Sequence, residues 1–187
     1  MKPVDSLNLL QDLETRVEAS ISIAVATFQN SYPSTLLQPS NTGGWSIAQC
    51  LDHLNSYGDF YLPHIKKALS ENNKHAFSAS FKSSWLGTYF TNMMLPRSGK
   101  KYKALKKHVP KQDLDAAAVV AEFIHQQELL LSYLEIAKHS DLNSIKIPIS
   151  ISSFIKLKLG DVFQFIIAHN ERHLEQAKRN LPVFHSI

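Results

Sequence analysis

At 187 residues, 44% hydrophobic and 19% charged, the chain is long enough for one domain with a proper core and has the composition of a soluble globular protein. Its 6 glycines and 8 prolines are few for a sandwich or barrel with many turns. The formal net charge of +4 establishes no nucleic-acid or membrane partner, and the single cysteine, Cys50, excludes an internal disulfide framework and suits a reducing compartment.

The first residues, Met-Lys-Pro-Val-Asp-Ser-Leu-Asn, have no signal-peptide apolar core. No stretch reaches the roughly 18 apolar residues that span a bilayer. The expected location is the cytoplasm.

About residues 5 to 30 carry apolar positions at Leu7, Leu10, Val17, Ile21, Ala24 and Phe28, the pattern of an amphipathic helix. Residues 32 to 44 read as a connection, because Pro33, Pro39 and Gly43-Gly44 break regular structure. Ser46 and Gln49 form a capping-box pattern, so a second helix is expected from near Ser46 to about Ser70, with apolar positions at Ile47, Leu51, Leu54, Tyr61, Ile65 and Leu69. Pro63 removes one of its backbone hydrogen bonds, which predicts a kink or an early break there.

From 73 to 110 the pattern is irregular. Glu71-Asn-Asn-Lys-His reads as a polar turn, Phe81 to Met94 as a short aromatic- and Met-rich helix over the bundle, and Pro96 to Pro110 as a basic loop. A third long helix is expected from about Leu114 to Lys138, its apolar stripe interrupted by Gln127. Asp141 to Ile149 reads as a connection, and Ser152 to Leu159 as a short helix or an extended lead-in. The last helix is expected from about Asp161 to Asn180, stopped by Pro182, with Asp161 in the first turn where the helix dipole favours an acid. The fold class that follows is all-α: one domain over 1–187, a four-helix bundle with an irregular insertion between helices two and three.

The last helix holds the densest chemistry, His169-Asn-Glu-Arg-His173. Residues four apart share a helix face, and this face also carries Val162, Phe165 and Ile166, so it points inward. Two neutral imidazoles directed into an apolar interior need a partner, and a divalent metal satisfies both. A third histidine, His53, lies beside the apolar stripe of helix two, on a face with Cys50 and Tyr57. Taken alone, His53 reads first as a core-edge histidine bonded to a backbone carbonyl. Cys50 reads as a small buried hydrophobe, and Tyr57 as either a packing residue or a proton donor.

The stretches Gly43-Gly-Trp45-Ser46-Ile-Ala-Gln-Cys-Leu-Asp-His53-Leu and Gly160-Asp-Val-Phe-Gln-Phe-Ile-Ile-Ala-His169-Asn-Glu-Arg-His173-Leu-Glu-Gln176 resemble the two signatures of the DinB-like superfamily. The Lys-rich loop ending at Pro110 and the Ile147-Pro148 turn add to a resemblance covering nearly the whole chain. The resemblance implies a three-histidine site at His53, His169 and His173. It also implies a divalent metal, zinc or nickel first and manganese or iron as alternatives, and a homodimer, for which Phe81 to Met94 offers apolar surface. Some members are transferases that use low-molecular-weight thiols such as bacillithiol or mycothiol.

The expected function is therefore a metal-dependent transferase or hydrolase acting on a small-molecule substrate, with no catalytic side chain assigned. The alternative is a non-catalytic metal-binding bundle with a structural, sensing or stress-related role. Asp52, Asn170, Glu171 and Gln176 are candidate acceptors for the second ring nitrogens of the ligands. Lys100, Lys101, Lys103, Lys106 and Lys107, with Tyr102 among them, could read as a nucleic-acid patch or as steering for an anionic cosubstrate. Lysine runs are more often solvated loops, so neither a nucleic-acid nor a membrane partner is expected. His64, His75, His108, His125, His139 and His185 read as surface or loop residues.

Overall fold

The structure is a computed structural model, described here for residues 2–41, 43–71, 77–95 and 103–181. Four long helices carry it: α1 (Ser6–Thr27), α3 (Ile47–Ser70), α5 (Ala116–Ala137) and α6 (Leu159–Lys178). Between them lie two short helices, α2 (Pro33–Leu37) and α4 (Trp85–Met94), and a 3-10 turn at Lys106–His108. Two small antiparallel sheets complete the described residues: β1 (Val4–Asp5) with β2 (Ser80–Phe81), and β3 (Lys146–Ile149) with β4 (Ser152–Lys158). The fold is all-α, with α3 against α5 and α6, and α1 against α5 and α6.

Local chemistry sets the helix ends. The Ser46 hydroxyl accepts from Gln49 N and the Gln49 side chain accepts from Ser46 N, the reciprocal box that the sequence carries. Asp5, Ser84 and Asp115 cap α1, α4 and α5 in the simpler way, each accepting from a first-turn amide. Helix α3 runs on through Pro63 to Ser70 without breaking. Pro63 lies on the exposed side, while Tyr61, Leu62, Ile65 and Leu69 stay buried, so packing carries the helix across the lost backbone bond.

Two expectations need correction, and a third, Asp161 in the first turn of α6, holds with an addition. Pro33 does not break structure but opens α2, since its fixed φ and missing N–H suit a first helical position. The connection before α6 contains a β-hairpin, with Lys146 opposite Lys158 and a register shift at Pro148/Ile149, where a proline cannot sustain the ladder. Asp161 does more than meet its own helix dipole. It is fully buried, and its Oδ2 accepts from Ser84 N at 3.1 Å and Ser84 Oγ at 2.6 Å, pinning the start of α4 to the start of α6. The aromatic segment is a helix over the bundle as expected, α4 packing on α6. The polar turn at 72–75 and Pro182 fall outside the described residues.

Two apolar clusters fill the interior. One gathers Leu13, Val17, Tyr61, Ile65, Leu134 and Phe163, the other Phe28, Leu36, Ile47, Leu51, Phe123 and Leu174. Tyr57 and Phe165 of the first cluster pack against the rings of His53 and His169, and Leu54 and Leu174 of the second follow His53 and His173 in the chain.

Candidate metal centre

Helix α6 is held in rotation by three neighbours. Consecutive helical residues point about 100° apart, so His169, Asn170 and Glu171 face three directions. Asn170 Nδ2 donates to Gln127 Oε1 on α5 at 2.8 Å, within the core. Glu171 takes a two-pronged bond from Arg16 on α1, Nε to Oε1 at 2.7 Å and Nη2 to Oε2 at 2.8 Å. With those two faces fixed, His169 and His173 turn toward α3, where His53 waits. The polar interruption Gln127 is thus the partner that orients the histidine-bearing helix.

The three rings meet edge to face, with centroids 5.0 Å apart for His53–His169, 4.6 Å for His53–His173 and 4.8 Å for His169–His173. One ligand nitrogen from each lies within 4.8 Å of the others. His53 and His169 are buried at 3% exposure, whereas His173 is partly accessible. Trp45 roofs the group, its ring 4.8 Å from His53 and 5.9 Å from His173. It reaches that position after a turn at Gly43, whose φ of 75° favours a residue without a Cβ. Tyr57 and Phe165 wall the other side, 4.4 Å and 5.9 Å from His169.

The outer nitrogens determine which tautomers are present. His53 Nδ1 lies 2.6 Å from the His108 carbonyl oxygen, which can only accept, so Nδ1 carries the proton and Nε2 presents a lone pair. Both readings of His53 hold at once: it bonds a backbone carbonyl and belongs to the cluster. His173 Nδ1 is 2.9 Å from Gln176 Oε1, which frees its Nε2 in the same way. His53 Nε2 and His169 Nε2 stand 3.2 Å apart. Two ligands on tetrahedral zinc bonds of about 2.0–2.1 Å are about 3.3 Å apart, so this pair fits a shared divalent ion.

The electrostatics agree. Burial, reinforced by the neighbouring imidazoles, pushes His169 well below the usual histidine range and His173 down to about 3. Burial also lowers His53, against the opposing bond from the His108 carbonyl. All three are neutral at pH 7, the form that binds a metal.

The sequence profile of the DinB superfamily matches residues 16–177, a span that includes all three histidines. The chain belongs to the DinB superfamily. No curated protein and no solved structure matches it.

In this DinB-superfamily chain the structure sorts the remaining candidates. Of the four proposed acceptors only Gln176 touches a cluster histidine; Asp52 accepts from Lys111 N at 3.0 Å, while Asn170 and Glu171 serve helix packing. His108 is not a surface residue but buried at 4% exposure. Its carbonyl holds His53, its ring stacks on Tyr57 at 3.9 Å, and burial lowers its pKa to about 4. The Ser56 hydroxyl donates to His53 O, so His108 Nδ1 must donate to Ser56 Oγ, leaving a bare Nε2 that is buried without a partner among the described residues. His125 and His139 are exposed, as expected, and His64 is partly buried against the Phe60 carbonyl. His75, His185, Lys100, Lys101 and Tyr102 lie outside the described residues. Burial raises the Tyr57 pKa to about 12, against the opposing influence of the Ser150 side chain, which favours the packing role. Cys50 is fully buried and its thiol is pushed up to about 12, a core residue.

Two outcomes follow from these bonds. Gln176→Leu removes the acceptor that orients His173 and weakens metal affinity about 10–100-fold, measured by competition with a chromogenic chelator. The second concerns pH. The cluster histidines and His108 have folded pKa values below the ordinary value of about 6.5, so below that pH the unfolded chain binds more protons. Stability is intact above about pH 6.5 and falls as pH drops toward the folded values, by about 1.4 kcal/mol per pH unit for each proton taken up. Urea midpoints between pH 7.5 and 4.5 test this, and an unchanged midpoint contradicts it.

Proposed function

We propose that this protein is a divalent-metal-dependent enzyme, a transferase or hydrolase for a small molecule, with the metal held by His53, His169 and His173. The observation that carries the reading is the convergence of imidazole nitrogens whose outer positions are already committed, His53 to the His108 carbonyl and His173 to Gln176. Three protein ligands are what catalytic zinc sites use, a fourth position being left for substrate. A divalent ion bound there supplies Lewis acidity and lowers the pKa of a thiol or water brought to its open position. Zinc or nickel is the expected ion, given three nitrogen donors and no carboxylate in the cluster.

The chain's own part is orientation and exclusion of water. The His108 carbonyl and Gln176 fix the rings. Trp45, Tyr57 and Phe165 surround them with aromatic surface, which strengthens every electrostatic interaction inside. Among the described residues no side chain beside the cluster offers itself as a nucleophile: Cys50 is shut in the core, and burial keeps the Tyr57 hydroxyl protonated, its pKa raised to about 12. An external nucleophile, a low-molecular-weight thiol or water, fits that arrangement.

The test is turnover by zinc- or nickel-refilled protein with cysteine, glutathione, bacillithiol or mycothiol against an electrophile such as monobromobimane, and with activated esters for hydrolysis. Acceleration that disappears in His169→Ala supports the enzyme. A metal-loaded wild type that accelerates none of these, and unfolds when stripped, favours a metal that staples the bundle instead.

A further inference from the structure

The modest net charge conceals a strong segregation. Residues 72–112 and 142–160 together hold 12 of the 20 Lys and Arg and none of the 16 Asp and Glu. The rest of the chain therefore has 8 basic against 16 acidic residues. The two basic segments adjoin in space. Lys158 Nζ donates to Lys82 O at 2.6 Å, Asn143 Nδ2 to Ser80 O at 2.8 Å, and Lys107 Nζ to Ser150 O. One groove of about 450 Å³ collects Lys82, Trp85 and Lys158, and another of about 470 Å³ collects Lys107, Ile151 and Phe154. Neither is lined by a cluster histidine. Strand β4 links the two grooves.

Among the described residues no lysine of the two segments joins a direct ion pair, although Asp141 and Asp161 act on Lys146, and Lys111 on Asp59, at longer range. The basic members of the ion pairs in those residues are Arg16, Lys67, Lys138 and Lys178, all outside the two segments. Lys146 stands directly opposite Lys158 across the hairpin, an arrangement that destabilises a strand pair. Their ammonium groups reach only neutral acceptors, the Asn143 carbonyl for Lys146 and Lys82 O with Asn143 Oδ1 for Lys158. The same side collects bare apolar surface. Phe154 is 96% exposed, Trp85 80%, Ile151 53%, Tyr89 51% and Ile155 42%. Phe154 and Ile155 fall in the irregular part of the hairpin, between the pairs Ile149–Ser152 and Pro148–Lys156, and both are exposed there.

We infer that the β3–β4 hairpin and the start of α4 form a docking surface for an anionic lipid bilayer, with Phe154 and Trp85 entering the headgroup boundary and Lys82, Lys107, Lys156 and Lys158 facing the lipid anions. The occupant follows from complementarity. Basic residues around exposed aromatic and aliphatic side chains match an interface that offers negative charge above an apolar layer. A single-stranded nucleic acid would use the lysines and aromatics but gives Ile151 and Ile155 nothing to contact. A second copy is a poor occupant, since an isologous contact sets the lysines of one copy against those of the other. No helix among the described residues is long and apolar enough to cross a membrane, so attachment is peripheral. This departs from the sequence expectation of no membrane partner, which rested on the modest net charge, the lack of a spanning apolar stretch and the usual solvation of lysine runs.

The full chain is sedimented with vesicles of phosphatidylcholine and phosphatidylserine mixed about 2:1, and with phosphatidylcholine alone. The expected result is binding to the anionic vesicles only, fading between about 0.1 and 0.5 M salt. Lys156→Ala weakens partitioning about five-fold, and Phe154→Ser about ten-fold or more. Both positions are exposed, so the fold is kept, and the salt series on the wild type reads the electrostatic part without any substitution. The inference is overturned by absence of binding at low salt, by equal binding to neutral vesicles, or by indifference to Phe154→Ser. It is equally overturned if the protein ignores vesicles and instead binds a single-stranded oligonucleotide, or forms a dimer that Phe154→Ser dissolves.

Discussion

Chelation of the zinc-loaded protein lowers its thermal midpoint by about 5–10 °C and leaves the midpoint of His169→Ala where it was. The size follows from linkage: free metal at about 100 times its dissociation constant adds about 2.7 kcal/mol to the folded state, and each kcal/mol moves the midpoint of a chain of this length by about 2–4 °C. Only the folded chain brings His53 on α3 to within 3.2 Å of His169 on α6, so the ion binds the native state far better than the unfolded one. His169→Ala opens a cavity beside Phe165 and Tyr57 and shifts the absolute midpoint by itself. The informative quantity is therefore the difference with and without chelator in each protein. A wild type whose midpoint ignores chelator does not use this cluster to bind metal in its folded state.

The second large effect lies away from the histidines, where α4 meets α6. A Cβ on Gly87 would fall 2.1 Å from Asp161 Cγ and 2.5 Å from Asp161 Cβ. The obstacle is the base of a fully buried side chain, itself held by Ser84 N and Oγ, and it has no free end to swing aside. Gly87→Ala must lift α4 off α6 or break the Asp161–Ser84 bonds, and either leaves a buried carboxylate short of partners. The expected cost is about 3 kcal/mol or more, read from urea midpoints at pH 7. Gly43→Ala is the contrast: its added Cβ meets nothing within 4 Å, and only the φ of 75° penalises it, by about 1 kcal/mol. Equal losses at the two positions would show that the close approach of α4 to Asp161 is not what holds it.

The four long helices were legible because each buries a stripe at helical spacing, and the Ser46–Gln49 box marked the region where α3 begins. The histidine pair was legible for the same reason, since i and i+4 share a face whatever the surrounding fold. Gln176 could be named because it lies three residues from His173 on the same helix. The His108 carbonyl could not, because a backbone oxygen in a loop carries no side-chain signature and reaches His53 across 55 residues. Asn170 and Glu171 looked like candidates for the site by proximity in sequence. Their tertiary partners, Gln127 and Arg16, claim them for holding α6 in place. An extended Ser152 to Lys158 was one of the two forms expected, but its pairing with Lys146–Ile149 escaped because the segment is neither strictly alternating nor buried, with only Leu157 turned fully inward. The charge segregation was present in the sequence throughout, but a net value hides it, and it takes tertiary bonds such as those from Lys158 to Lys82, Asn143 to Ser80 and Lys107 to Ser150 to bring the two basic segments together.

The measurement that bears most directly on the central claim is elemental analysis of the purified, untagged protein beside His53→Ala, His169→Ala and His173→Ala. The account predicts close to one divalent metal per chain in the wild type, and its loss in all three variants while circular dichroism keeps its helical signature. Absence of metal in the wild type, even after refilling with zinc, nickel, manganese or iron, would contradict it and leave the three histidines as polar members of the core.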